Sequence, residues 1–207
     1  MIDDYYFVQY GMRLGPFTYE ELIGLQLDID TPILRPNTST WADACDIPEL
    51  YAYFEKRGIY FPAKSNLASF WLRLLAYIID FILVEIPLLL LFYELALKGD
   101  IDYHSPMQIF MAIVAFHIVI IIYNTICEYS PMKGSIGKRI CGLAVVDVDG
   151  GGICLYSALK RNIFKILSRV LFYLGFFRVL WDEHRQAWHD DFVGSYMVRK
   201  KSIVNGP

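Results

Sequence analysis

The residues of this sequence that could do chemistry are ionisable side chains set inside long apolar runs. Arg73 and Asp80 stand seven residues apart in NLASFWLRLLAYIIDF. Seven helical residues are about two turns, roughly 10 Å, so the pair shares one helix face. A charge at membrane depth is costly and usually marks function. Burial raises a carboxyl pKa and a nearby cation lowers it. Asp80, poised between the two, could carry a proton or bind a cation; equally, the charges could be structural and hold helices in register. A second run repeats the pattern, with His117, Asn124 and Glu128 spaced seven and four apart. That stripe should face protein or water and could meet the Arg73/Asp80 face. On a regular helix Glu85 points elsewhere, about 140° from Asp80. It sits just before Pro87, where a kink is expected.

The elements that must position these groups are built for lipid. Hydrophobic residues make up 56% of the 207 and charged residues only 20%. A soluble chain of this length lacks the interior to hide so much apolar surface. Residues 70–97 and 107–127 are each long enough to cross a hydrocarbon core of about 30 Å, which takes about 20 residues. A third region, ILSRVLFYLGFFRVLW at 166–181, is short and interrupted by Arg169, Gly175 and Arg178. It follows Lys160, Arg161 and Lys165, and positions 161, 165 and 169 share a side of a helix. It reads as a third span, a re-entrant helical pair or an interfacial helix. GLAVVDVD (142–149) and VGSYMVRK (193–200) read as strands that could pair on the cytoplasmic surface. If they do, both ends of 155–192 lie on one side.

Charge divides the chain. Residues 1–60 carry ten acidic and four basic residues, and residues 61–207 carry twelve and fifteen. Two modules in different solvents follow from that split, and the net charge of −3 gives no reason to expect nucleic acid. The loop 98–106 holds one basic residue, Lys98, whereas 128–161 holds Lys133, Lys138, Arg139, Lys160 and Arg161. The positive-inside rule then places 98–106 outside and 128–161 in the cytoplasm. The start, MIDDYYFVQYGM, has neither the basic nor the apolar region of a signal peptide, in keeping with a cytoplasmic N-terminal module. Cys45, Cys127, Cys141 and Cys154 are scattered without a CxxC pair and read as reduced thiols.

The N-terminal module reads as small α+β. DYYFVQY has strand composition and GMRLGP is turn-like. Thr18, with Glu21 three residues on, is a capping box opening a short helix. Trp41 and DIPELYAYF close the module. The chain from 4 to 50 resembles the bacterial GYF-like domain, through Tyr5 and Tyr6, the Gly15-Pro16-Phe17 turn, Leu22, Trp41 and the Ile47-Pro48-Glu49-Leu50 ending. The resemblance implies a proline-rich peptide partner on an aromatic surface, with Tyr5, Tyr6, Phe17 and Trp41 as the contacts. The same aromatics could equally form the core of so small a domain.

Other motifs fail on spacing. GSIGKR lacks the upstream glycine and the Ser/Thr of a phosphate loop. DVDGGG lacks calcium-loop ligand spacing. His184 and His189 lack the cysteine or carboxylate set of a zinc site. No nucleophile–base motif appears, so no catalytic residue, metal or cofactor is expected.

A second resemblance covers residues 66–200. Arg73-Leu-Leu-Ala76-Tyr-Ile-Ile-Asp80 is similar to the first-helix signature of the RDD family of bacterial membrane proteins. SIGKRICGLAVVDVDGG resembles that family's loop after the second helix, Arg161 its third-region arginine, and RQAWHDDFVGSYMV its closing segment, with Asp190 as the last aspartate. Ser195 stands where threonine is more usual. The resemblance implies exchange of monovalent cations for protons in some members. The expected architecture is an α-helical multi-pass membrane domain (70–200) after a GYF-like domain (1–54) and a linker (55–69), with a tail at 201–207. It would sit in a bacterial inner membrane, with Arg73, Asp80 and Asp190 as polar core and His117 and Glu128 as relay groups. With so few spans, transport would need an oligomer or a larger complex. The rival expectation is a non-catalytic scaffold whose GYF-like domain recruits a proline-rich or extended partner.

Overall fold

The structure is a computed structural model that describes residues 4–99, 101–102, 104–170 and 174–200. The tail at 201–207 and the side chain of Arg169 lie outside the described residues. The chain forms two compact units, Met1–Phe61 and Pro62–Pro207.

The first unit is a four-stranded antiparallel sheet with two short helices. Its strands are β1 (Tyr5–Gln9), β2 (Met12–Phe17), β3 (Pro32–Leu34) and β4 (Trp41–Asp43), in the order β2-β1-β3-β4. GMRLGP is therefore a paired strand and not the turn its composition suggests. The reversal falls one step earlier, at Tyr10 and Gly11, whose φ angles of 52° and 74° suit the two-residue turn that matches strand twist. Helix α1 (Tyr19–Gly24) opens on the expected capping box. The Thr18 hydroxyl accepts the Glu21 N–H at 3.3 Å, and the Glu21 carboxylate accepts the Thr18 N–H at 2.8 Å. One face of the sheet and helix α2 (Tyr51–Lys56) bury Phe7, Leu22, Ile33, Leu50 and Phe54. Phe61 joins this core, so the first part of the expected linker is packed into the unit.

The second unit is helical. One continuous helical run comprises α3 (Phe70–Asp80), a π-helical turn (Phe81–Glu85) and α4 (Ile86–Leu97), and α5 (Pro106–Tyr129) follows. Both runs, of 28 and 24 residues, are long and apolar enough to cross a membrane. Their side chains point mostly outward, with Leu90, Phe110 and Ile122 more than half exposed and no buried residue in α4. A core helix of a soluble protein would be covered; these present apolar side chains on nearly all sides, as lipid requires. Pro87 lacks the N–H for an i→i−4 bond, and the wider π turn precedes it. There the Ile86 N–H reaches the Phe81 carbonyl. That turn changes the helical phase, and Asp80 and Glu85 both line one cavity. The 140° separation expected of a regular helix is not what forms.

Beyond α5 come α6 (Ile136–Ile140), β5 (Leu143–Val146), α7 (Leu155–Val170), α8 (Leu174–Phe177), α9 (Trp188–Asp191) and β6 (Tyr196–Arg199). β5 and β6 pair antiparallel, from Leu143 opposite Arg199 to Val146 opposite Tyr196. Segment 155–192 thus begins and ends at one sheet, which rules out a single third crossing. Helix α7, 16 residues or about 24 Å long, buries Ala158, Arg161 and Asn162 and exposes Leu155, Tyr156 and Ile163. The chain entering α3 adds to β6, with the Ala68 N–H on the Met197 carbonyl. Around this sheet Ala68, Ala76, Leu143, Val145, Ala158 and Met197 form a compact core.

Candidate functional site

Two carboxylates organise the second unit, and both are fully buried. Asp190, on the single turn α9, accepts Arg73 Nη1 at 2.6 Å from α3, and Arg161 Nη2 and Nε at 2.6 and 2.9 Å from α7. It also accepts the N–H of Ala187, the residue just before α9, at 3.2 Å. Every Arg73 nitrogen donates, its Nη2 to the Arg185 carbonyl at 2.6 Å and its Nε to the Ala68 carbonyl at 3.2 Å. Arg161 joins this centre to the second. Its Nη1 lies 2.6 Å from Glu128 Oε1 but off the N–H axis, so the contact is ionic rather than a formed hydrogen bond. The same Glu128 oxygen takes Lys138 Nζ from α6 and Lys165 Nζ, at 2.8 Å, from α7. Asn162 donates to Oε2 at 3.1 Å and accepts Lys165 Nζ at 2.7 Å. Four basic side chains thus share two carboxylates.

Electrostatics follow from that sharing. Burial alone would raise the Asp190 carboxyl, but Arg161 first and Arg73 with it hold it well below the usual range. Burial would lower Arg161, and Glu128 with Asp190 reverse this and push it up. Lys165 is pushed well below the usual lysine range, first by burial and then by Lys138 and Arg161 beside it, against the pull of Glu128.

Asp80 is held differently. It accepts the Ser135 hydroxyl at 2.5 Å and the Gly137 N–H at 2.7 Å, both from the start of α6. The approach requires glycine, because a Cβ on Gly137 would lie 2.2 Å from the Ala76 carbonyl and 2.9 Å from the Asp80 backbone nitrogen. No ion pair to Asp80 forms among the described residues.

Beside the network lies a cavity of about 230 Å³. Phe70, Arg73, Leu74, Tyr77 and Asp80, at helical spacing along α3, make one wall. Glu85, Asn124, Lys138 and Lys165 face it, and Phe176, Phe177 and His189 close it. His189 is 3% exposed, and its Nδ1 has no hydrogen-bond partner among the described residues. Burial, more than any neighbour, drives its pKa well below the ordinary histidine value, so the ring is neutral at pH 7.

The residues singled out in the sequence therefore separate. Arg73, Glu128, Arg161 and Asp190 come together in one network, while Asp80 and Asn124 line the adjoining cavity. His117 does not join them. Its Nδ1 meets the Ile113 carbonyl at 2.8 Å, in a groove with Leu89, Phe92 and Phe116 between α4 and α5. Lys138, Lys165, Asn162, Ser135 and Gly137 were not legible as site residues. The shared side of 161 and 165 on α7 was the available signal, and Lys138 read only as a loop charge.

In the first unit the four aromatics also part. Tyr5 is core, against Tyr19, and Phe17 packs half-buried on Phe7. Tyr6 and Trp41 stay on the opposite face, in register through Leu34. Arg13 spans them, 4.0 Å from the Tyr6 ring and 5.9 Å from that of Trp41. Gly15 gives β2 room to pass Tyr6, since a Cβ there would come within 2.6 Å of the ring.

Comparison with known proteins agrees with this division. The RDD family profile matches residues 67–194, and GYF domain 2 matches residues 5–50. An uncharacterised protein of Bacillus subtilis (strain 168), YxaI, is 30% identical over 148 residues, which is 64% of this chain and 97% of that protein. A second from the same organism, YckC, is 30% identical over 136 residues, 63% of this chain and 83% of its own length. No solved structure matches.

Proposed function

The chain belongs to the RDD family, and from that premise we propose that it is a membrane-anchored recruitment protein. Two apolar helices hold it in the bilayer. The Arg73–Asp190–Arg161–Glu128 network ties their polar ends to α6, α7 and α9. The GYF-like unit then offers the face of Tyr6, Arg13 and Trp41 to an extended, proline-rich partner segment. The observation that carries this reading is that face: Trp41 is 41% exposed on a unit whose core is complete without it. Aromatic-lined surfaces suit the preformed polyproline conformation, which loses little entropy on binding. The Lys/Arg distribution supports a cytoplasmic location for this unit and for the β5–β6 sheet, in a bacterial inner membrane. The test is titration of the full chain with a fluorescent proline-rich peptide. Tyr6→Ala and Trp41→Ala should each weaken binding at least about tenfold without lowering the melting temperature. Unchanged affinity in both variants would remove this face as the binding surface.

A second reading is monovalent cation/proton exchange, in an oligomer that completes a pathway. Its support is Asp80, a cavity-lining carboxylate at membrane depth whose hydrogen bonds come from a hydroxyl and a backbone N–H. Cation-driven proton flux in proteoliposomes that Asp80→Asn abolishes, with folding unchanged, would establish it. No flux from folded protein under several cation gradients would leave recruitment alone.

A further inference from the structure

The cavity beside α3 combines three features that together select a ligand class. It is lined by basic and acidic side chains together, Lys138 and Lys165 with Asp80 and Glu85. It has aromatic walls, where Phe70 stacks on Phe177 with centroids 5.7 Å apart and planes at 22°, and Tyr77 and Phe177 continue to an exposed rim. It is also lined by His189, whose buried Nδ1 has no hydrogen-bond partner among the described residues. An unpaired polar atom at this depth costs free energy unless something supplies a partner.

A purely anionic ligand would meet Asp80 and Glu85, and a purely cationic one would meet Lys138 and Lys165. A group with both signs is matched by both sets of side chains, and an aromatic ring face adds attraction for its ammonium end. The depth fits the membrane surface. Along α3, Arg73 lies about 5 Å and Asp80 about 15 Å from Phe70, spanning the headgroup region and the adjoining part of one leaflet. At about 230 Å³ the cavity is below the roughly 300–1,000 Å³ of sites for drug-sized molecules, so it suits a headgroup and not a whole lipid.

We propose that this cavity binds the phosphate-and-ammonium headgroup of a zwitterionic amphiphile, with the lysines on the phosphate, the acids and His189 on the ammonium, and the apolar tail leaving past Tyr77 and Phe177. The shared chemistry is an aminophosphate, supplied by an aminophospholipid or by a soluble aminophosphate ester. The site is independent of the peptide-binding face and shares Asp80 with the exchange reading.

The test is native mass spectrometry of the full chain in mild detergent, with equal mole fractions of phosphatidylethanolamine and phosphatidylglycerol. The expected result is one retained lipid per chain, with phosphatidylethanolamine favoured by roughly fivefold or more. Leu74→Trp and the milder Leu74→Phe fill the cavity without touching the ion network, and either should reduce the adduct at least as much at an unchanged melting temperature. Equal or greater retention of phosphatidylglycerol by the unaltered protein overturns the proposal, as does an adduct undiminished in both variants. A parallel arm adds glycerophosphoethanolamine. If that ester displaces the lipid at comparable concentration, the headgroup assignment stands and the source is soluble. If it does not, the tail is part of what is recognised.

Discussion

Arg161 is the residue on which both buried carboxylates depend. Methionine there would leave Asp190 with Arg73 and Glu128 with two lysines, and a fully buried cavity where the guanidinium was. Breaking a buried ion pair by removing one partner costs about 3–5 kcal/mol, so Arg161→Met should fail to give monodisperse protein on size exclusion. Lys165→Met should behave differently. Glu128 keeps Lys138 and Arg161, and the lysine removed is one whose charge burial disfavours. Its melting temperature should therefore stay close to that of the parent. Equal loss in both variants would show that the network has no such hierarchy.

His189 gives the same site a pH signature. Its folded pKa is depressed below the unfolded value of about 6.5. In the window between the two values the unfolded chain binds more protons, so stability falls as pH drops below about 6.5, by up to about 1.4 kcal/mol per pH unit. Asp190 is depressed too, but its contribution is lost only below about pH 4. Melting temperatures between pH 7.5 and 5 should decline in the parent and flatten in His189→Phe. A slope that persists in the variant would assign it to another group. Arg73, Asp80 and Asp190 were legible in the sequence because ionisable residues in apolar runs stand out. Lys138 and Lys165 were not, because a lysine in a polar stretch looks solvated until tertiary closure brings a carboxylate to it.

At the scale of elements, the packing of α6 on α3 is the constraint with least slack. Gly137 donates to Asp80 and has no room for a methyl group, since two of its three close contacts are with α3 backbone and the third is the Asp80 carboxyl carbon. Overpacking of this kind typically costs about 1–3 kcal/mol. Gly137→Ala should lower the melting temperature, and Gly134→Ala, whose Cβ would meet the flexible Lys138 side chain at 3.1 Å, should lower it less. Similar losses in the two would show that α6 can shift. The element pattern also shows where sequence periodicity stops. Both apolar runs, the capping box at Thr18 and the β5 and β6 strands were readable from composition and spacing. The π turn was not: Pro87 announces an irregularity but does not say that the phase will change so that Asp80 and Glu85 line one cavity. The β2 strand was missed for a related reason, since glycine and proline in MRLGP suggest a turn, while the actual reversal uses the less typical Tyr10.

For the whole molecule, topology is the property on which both functional readings depend. The β5–β6 pairing brings the two ends of 155–192 together, so the fold permits an even number of crossings after α5 and not one. With two spans, the chain before Phe70 and the sheet must lie on the same side, and the loop after α4 on the other. Cys154 is exposed beside that sheet, and His104 is exposed in the loop between the spans. In a background with Cys45, Cys127 and Cys141 replaced by serine, a membrane-impermeant maleimide should label Cys154 only after cells are opened. With Cys154 also replaced, His104→Cys should label in intact cells. The reverse pattern would put the aromatic face of the first unit outside the cytoplasm and direct the search for its partner there. Labelling of both positions in intact cells would mean that one of the two long helices does not cross, and the ion network would then stiffen a surface-bound protein instead of the end of a spanning pair.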